Sequence, residues 1–96
     1  MAAETDPVIA QFRDQISDND LKILEAVNKR IKLVQKLWDY KVTQGLDSVD
    51  AARENWVLTY LSRANGGPMS NEALTEVFTM LLRLTKDEIG RLQVRS

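Results

Sequence analysis

Between Asp6 and Gln44 the chain contains nothing that stops a helix. The two prolines are Pro7 and Pro68, and the first glycine is Gly45. Asp6 followed by Pro7 reads as an N-cap with proline at the first helical position, where its missing N–H is harmless. From there Phe12, Ile16, Ile23, Val27, Ile31, Val34 and Trp38 recur at three- and four-residue steps or sums of them, with Asp20 interrupting the stripe. Gln44-Gly45 is the expected stop. A helix from Pro7 to about Thr43 extends roughly 55 Å, against a radius of gyration of about 13 Å for a compact domain of this length. Two shorter helices cannot cover such a rod from end to end. Either its stripe stays open or another chain covers it, and the expectation is a homodimer with long helices side by side. The alternative is a break near Ser17–Asp20, where weak helix formers cluster, giving a four-helix monomer.

The rest of the chain continues the pattern. A second helix is expected from about Val49 to Ala64, capped by Asp47 or Ser48, with Ala52, Trp56, Val57, Tyr60 and Leu61 inward. Asn65-Gly66-Gly67-Pro68 is the strongest punctuation in the sequence. Ser70 then caps a third helix whose apolar side is Ala73, Leu74, Val77, Phe78, Leu81, Leu82 and Leu84, with Glu72 near its positive end. No strand pattern, repeat or low-complexity run interrupts this. The expected fold is all-α, one long and two shorter helices per chain, intertwined as a dimer. Residues 1–96 make one domain, with 1–6 as a flexible tail.

Composition removes whole classes of chemistry. With no cysteine and no histidine among 96 residues, disulfides, thiol nucleophiles, Cys/His zinc sites and imidazole acid–base catalysis are excluded. Thirteen basic residues against fourteen acidic leave a net charge of −1, which gives no case for nucleic acid. No apolar run approaches the roughly 18 residues of a membrane span. The N-terminus lacks the basic and apolar regions of a secretory signal, so the default address is the cytoplasm.

What remains is the placement of charge. Arg30 and Lys41, eleven residues apart, differ by about 20° around a helix and share a face. Arg13, seventeen residues before Arg30, lies about 25 Å away and about 100° round. One helix cannot bring all three to one ligand, whereas an antiparallel partner could supply Arg13. Asp50, Arg53 and Glu54 share a face of the second helix. Taken singly, each reads most simply as a solvated charge or a surface salt pair.

Jointly, these spacings resemble the all-helical AroQ class of chorismate mutases. The first-helix segment Arg-x-x-Ile-(Ser/Asp)-x-x-Asp appears as Arg13-Asp14-Gln15-Ile16-Ser17-Asp18-Asn19-Asp20. Arg30 and Lys41 follow at the family's intervals, and the Asp-x-x-Arg-Glu motif appears as Asp50-Ala51-Ala52-Arg53-Glu54. The similarity spans about residues 8–90. It implies rearrangement of chorismate to prephenate, an intramolecular Claisen reaction with no cofactor and no metal. The roles it implies are Arg30 and a partner's Arg13 on the two carboxylates, Lys41 on the ether oxygen, and Glu54 accepting from the hydroxyl. Arg53 and Asp50 would shape the site, and Leu37, Val57 and Leu82 would line it. Guanidinium forks suit carboxylates, and a charge growing on an ether oxygen calls for fixed donors.

The third helix departs from the pattern. Counting from Phe78, the family's serine is here Thr85, and its Gln or Glu is here Ile89, which cannot donate. Lys86 and Glu88 are the nearest polar substitutes, at the wrong spacing. Met80-Leu81-Leu82-Arg83-Leu84 followed by Gly90 resembles a short branch of the family that lacks this Gln and works best with 3-deoxy-arabino-heptulosonate-7-phosphate (DAHP) synthase. The resemblance therefore implies DAHP synthase as a partner. A non-catalytic regulatory subunit and an isochorismate–pyruvate lyase are the alternatives.

Overall fold

The computed structural model describes residues 6–47 and 50–94, with the side chain of Val94 excepted. Three helices account for most of them: α1 Pro7–Thr43, α2 Ala51–Ala64 and α3 Asn71–Val94, with no strand among the described residues. By its internal contacts the chain divides into residues 1–30 and residues 31–96, and α1 contributes to both units.

The ends of α1 follow its sequence. Asp6 Oδ1 accepts from the N–H of Val8 at 2.8 Å and of Ile9 at 3.4 Å, satisfying donors that the first turn leaves over. Asp6 is thus a cap rather than part of a tail, and residues 1–5 lie outside the described ones. At the other end Gly45 takes φ 67°. The N–H of Leu46 donates to Lys41 O at 2.8 Å and that of Gly45 to Val42 O at 3.2 Å, the two bonds of a Schellman motif. Helix α1 runs unbroken through Ser17–Asp20. The break that would have given a fourth helix is absent, because one run of weak formers does not outweigh helical bonds on both sides.

Helix α2 opens one cap later than its sequence suggested. Asp50, with extended backbone, accepts from the Arg53 N–H at 3.0 Å, so Asp47 is not the cap. The suggested cap at Ser48 and start at Val49 fall outside the described residues. The connection to α3 is organised by Asn65, whose Oδ1 accepts from the Gly67 N–H at 2.9 Å while its Nδ2 donates to Met69 O at 2.8 Å. Ser70 Oγ accepts from the Ala73 N–H at 3.1 Å and caps α3 as expected.

Helices α2 and α3 pack on each other. The most deeply buried residues all come from α3: Leu74, Thr85 and Ile89, the last wholly inaccessible. With Phe78, Leu81 and Leu92 half-buried, they form one ladder at three- and four-residue steps. Val77 and Leu84, expected inward, are 44% and 41% exposed. They lie about 120–140° round the helix from Ile89, outside the strip one neighbour can cover.

The inward face of α2 also differs from expectation. Val57 and Leu61 are half-buried, but Ala52 is exposed, and Trp56 and Tyr60 remain 49% and 55% exposed. At about 100° per residue, Glu54, Leu58 and Leu61 fall on one side of Val57, and Arg53, Trp56 and Tyr60 on the other. The first group is the half-buried one apart from the chain's own reference, Val57, which shares its burial. The two aromatics instead stack on each other, centroids 4.9 Å apart and rings within 6° of parallel.

Candidate functional site

Within residues 1–30, Arg13 is exposed and Arg30 half-buried, both on α1. Within residues 31–96, the same helix carries Leu37, exposed, and Lys41, half-buried in its last turn. The Schellman bond to the Lys41 carbonyl fixes the backbone from which that ammonium projects, and a cation there complements the negative end of the helix.

The first turn of α2 supplies three more of the expected residues. Asp50 spends Oδ1 on the cap. Arg53 lays its guanidinium over the Trp56 ring at 4.1 Å, a cation–π contact that the Trp56–Tyr60 stack extends. Glu54 stands on the half-buried face between Val57 and Leu58, and its Oε1 lies 2.5 Å from Lys86 Nζ on α3.

On α3, Leu82 is half-buried. Thr85 is almost wholly buried, and its hydroxyl donates to Leu81 O at 2.6 Å, the local bond open to a helical threonine. Ile89 is sealed in the core and brings no donor. Glu88 is held by Arg91, whose Nε and Nη2 donate to its two oxygens at 3.1 and 3.2 Å. That hydrogen bond, and then the charge of Glu88, raise the Arg91 pKa.

The structure therefore brings Glu54 and Lys86 together across two helices, and ties Arg53 to Trp56. Sequence reading had placed Trp56 and Tyr60 in the core and missed the ion pair, which depends on the register of α2 against α3. Two open grooves, of about 450 and 460 Å³, are lined by Thr75, Glu76, Thr79, Met80 and Arg83, and by Asp39, Val42, Thr43 and Gln93. None of the expected site residues lines either groove. Among the described residues no helix is long and apolar enough to cross a membrane.

One family, chorismate mutase type II, matches residues 12–89. No curated protein matches the chain. All of the expected site residues, from Arg13 to Ile89, fall inside the matched span.

Proposed function

The chain belongs to the type II chorismate mutase family and is an enzyme of the isomerase class, a chorismate mutase; from that premise we propose how its residues carry the rearrangement. The ether C–O bond of chorismate breaks as a new C–C bond forms within the same molecule, giving prephenate. No group is transferred to the protein. The protein's task is to hold a dianion in its compact, reactive conformer and to meet the charge that grows on the ether oxygen. Arg30 and the partner subunit's Arg13 clamp the two carboxylates. Lys41 donates to the ether oxygen, and Glu54 accepts from the hydroxyl through Oε2, the carboxylate oxygen that Lys86 does not take. Arg53, Asp50 and Thr85 shape the surroundings, and Leu37, Val57 and Leu82 exclude water, with Ile89 packed in the core.

The observation that carries this reading is the spacing of Arg13, Arg30 and Lys41 on one unbroken helix, inside the matched span. The homodimer rests on α1 itself. It has no buried residue, and Phe12, Ile16, Ile23, Leu24, Leu33 and Leu37 are each more than half exposed. Covering such a stripe gains about 25 cal/mol for each Å² of apolar surface, and a second copy presents a matching one.

The wholly buried Ile89 leaves Lys41 as the main donor to the ether oxygen. One missing donor of that kind is worth roughly 3 kcal/mol, about a hundredfold in rate. The free enzyme is therefore slow, and DAHP synthase raises its kcat/KM by tightening the site. The test is to follow chorismate loss and identify the product, with and without the DAHP synthase of the same organism. Prephenate formed slowly and accelerated by the synthase supports the whole proposal. A fast free enzyme indifferent to the synthase removes the partner. Binding without turnover would make the chain a regulatory subunit, and pyruvate released from isochorismate would make it a lyase.

A further inference from the structure

We propose that Lys86 is a positioning residue for Glu54, holding its carboxylate so that one oxygen meets the substrate hydroxyl. This rests on the mutase reading above. The motif that brought Glu54 forward contains no partner for it. The contact exists because α2 and α3 pack with Glu54 turned toward α3, one helical turn before Ile89.

The ion pair differs from its neighbours on α3. Arg83–Asp87 and Arg91–Glu88 run along one helix at i,i+4 and i,i+3, whereas Lys86–Glu54 joins two helices at 2.5 Å. The Lys86 and Glu54 side chains are 45% and 31% exposed, so water screens the pair and its contribution to stability is small. Its effect is on orientation. A glutamate has three rotatable side-chain bonds and loses much freedom when fixed. A cation on Oε1 takes up that freedom before substrate arrives and leaves Oε2 as the acceptor. The ammonium contributes this as a compact charge with three donors, and a guanidinium at the same place can do so with one arm of its fork.

The position of Lys86 also separates this role from a more direct one. It lies three residues before Ile89 and about 60° round α3, so it does not occupy the register of the missing donor. In the structure its ammonium lies against Glu54 Oε1.

The test is a double-mutant cycle on steady-state conversion of chorismate, with wild type, Lys86→Met, Glu54→Gln and the double variant, and with Lys86→Arg as rescue. Lys86→Met is expected to lower kcat about tenfold and to leave KM within about twofold, because the substrate's carboxylates are held elsewhere. Lys86→Arg is expected to recover most of the loss. In the Glu54→Gln background, Lys86→Met should cost less than about twofold, since there is no carboxylate left to position. Far-UV circular dichroism and Tm report whether any variant has lost its fold. An equal loss in both backgrounds means Lys86 acts on substrate or on packing, and overturns the proposal. So does an unchanged kcat in Lys86→Met. A wild type that turns over no chorismate removes the mutase reading and this proposal with it, while an active wild type with indifferent variants removes this proposal alone.

Discussion

Helices α1 and α3 carry apolar stripes of the same helical period, yet they meet different fates within one chain. Helix α3 contributes Leu74, Thr85 and Ile89 to the interior, while the longer α1 has no fully buried residue. Period alone therefore says that a face will be covered and not by what. The stripe of α3 is short enough for its own chain to supply neighbours. That of α1 has no fully buried residue, and the same helix holds Arg13, Arg30 and Lys41. The helix whose apolar stripe is left open is thus also the one that carries seven of the thirteen basic residues.

The severest way to break this contrast is to put charge into the open stripe. Ile16→Asp with Ile23→Asp should abolish assembly and activity together, because each carboxylate would have to be buried without a partner, at a cost of several kcal/mol. Light scattering and the concentration dependence of Tm report it. A variant of wild-type mass and activity would show that α1 works uncovered.

Truncation in α3 should be felt next. Ile89→Ala is expected to cost about 2–5 kcal/mol in urea unfolding, against less than about 1 kcal/mol for the partly exposed Leu84→Ala. Equal costs would mean that Leu84 is covered in the assembled protein and that α3 also serves the interface.

Arg30→Ala and Lys41→Ala should each lower kcat/KM at least about a hundredfold, roughly 3 kcal/mol, with helical circular dichroism intact. Near-normal turnover in either variant would take that residue out of the site. Mixing and refolding Arg13→Ala with Arg30→Ala sharpens the point. If Arg13 serves the other chain, a heterodimer has one site with both lesions and one with neither, so about a quarter of all sites recover. No recovery from demonstrated heterodimers would reject the shared site.

The smallest effect belongs to the aromatic face of α2. Trp56→Ala removes the ring beneath Arg53 and should cost about 0.5–1 kcal/mol, seen as a weaker hold on substrate rather than loss of fold. A change confined to Tm would leave the stack a purely structural feature.

Both ends of α1 were legible in the sequence because caps are local. Asp6-Pro7 and Gln44-Gly45 act on hydrogen bonds within a few residues of themselves. Ser70 was legible for the same reason. The face of α2 was not. A helix of fourteen residues with aromatics on one side and aliphatics on the other offers two candidate stripes, and only the packed neighbour chooses between them. The Glu54–Lys86 contact joins positions thirty-two residues apart and needs a register that no local pattern encodes. That Arg13, Arg30 and Lys41 share one helix was legible, because nothing between Pro7 and Thr43 breaks it. Which chain each of them would serve in the proposed dimer was not, because symmetry is a property of an assembly.

The glycine cap of α1 also sets where the chain can be lengthened. The two bonds that close the helix span Lys41 to Leu46, so an inserted residue inside that stretch would unthread the turn and release the backbone of Lys41. Extra residues placed after Leu46 leave both bonds in place. A family of such chains could carry connections of any length beyond that point with the last turn around Lys41 unchanged, as a knot is unaffected by the length of rope that follows it.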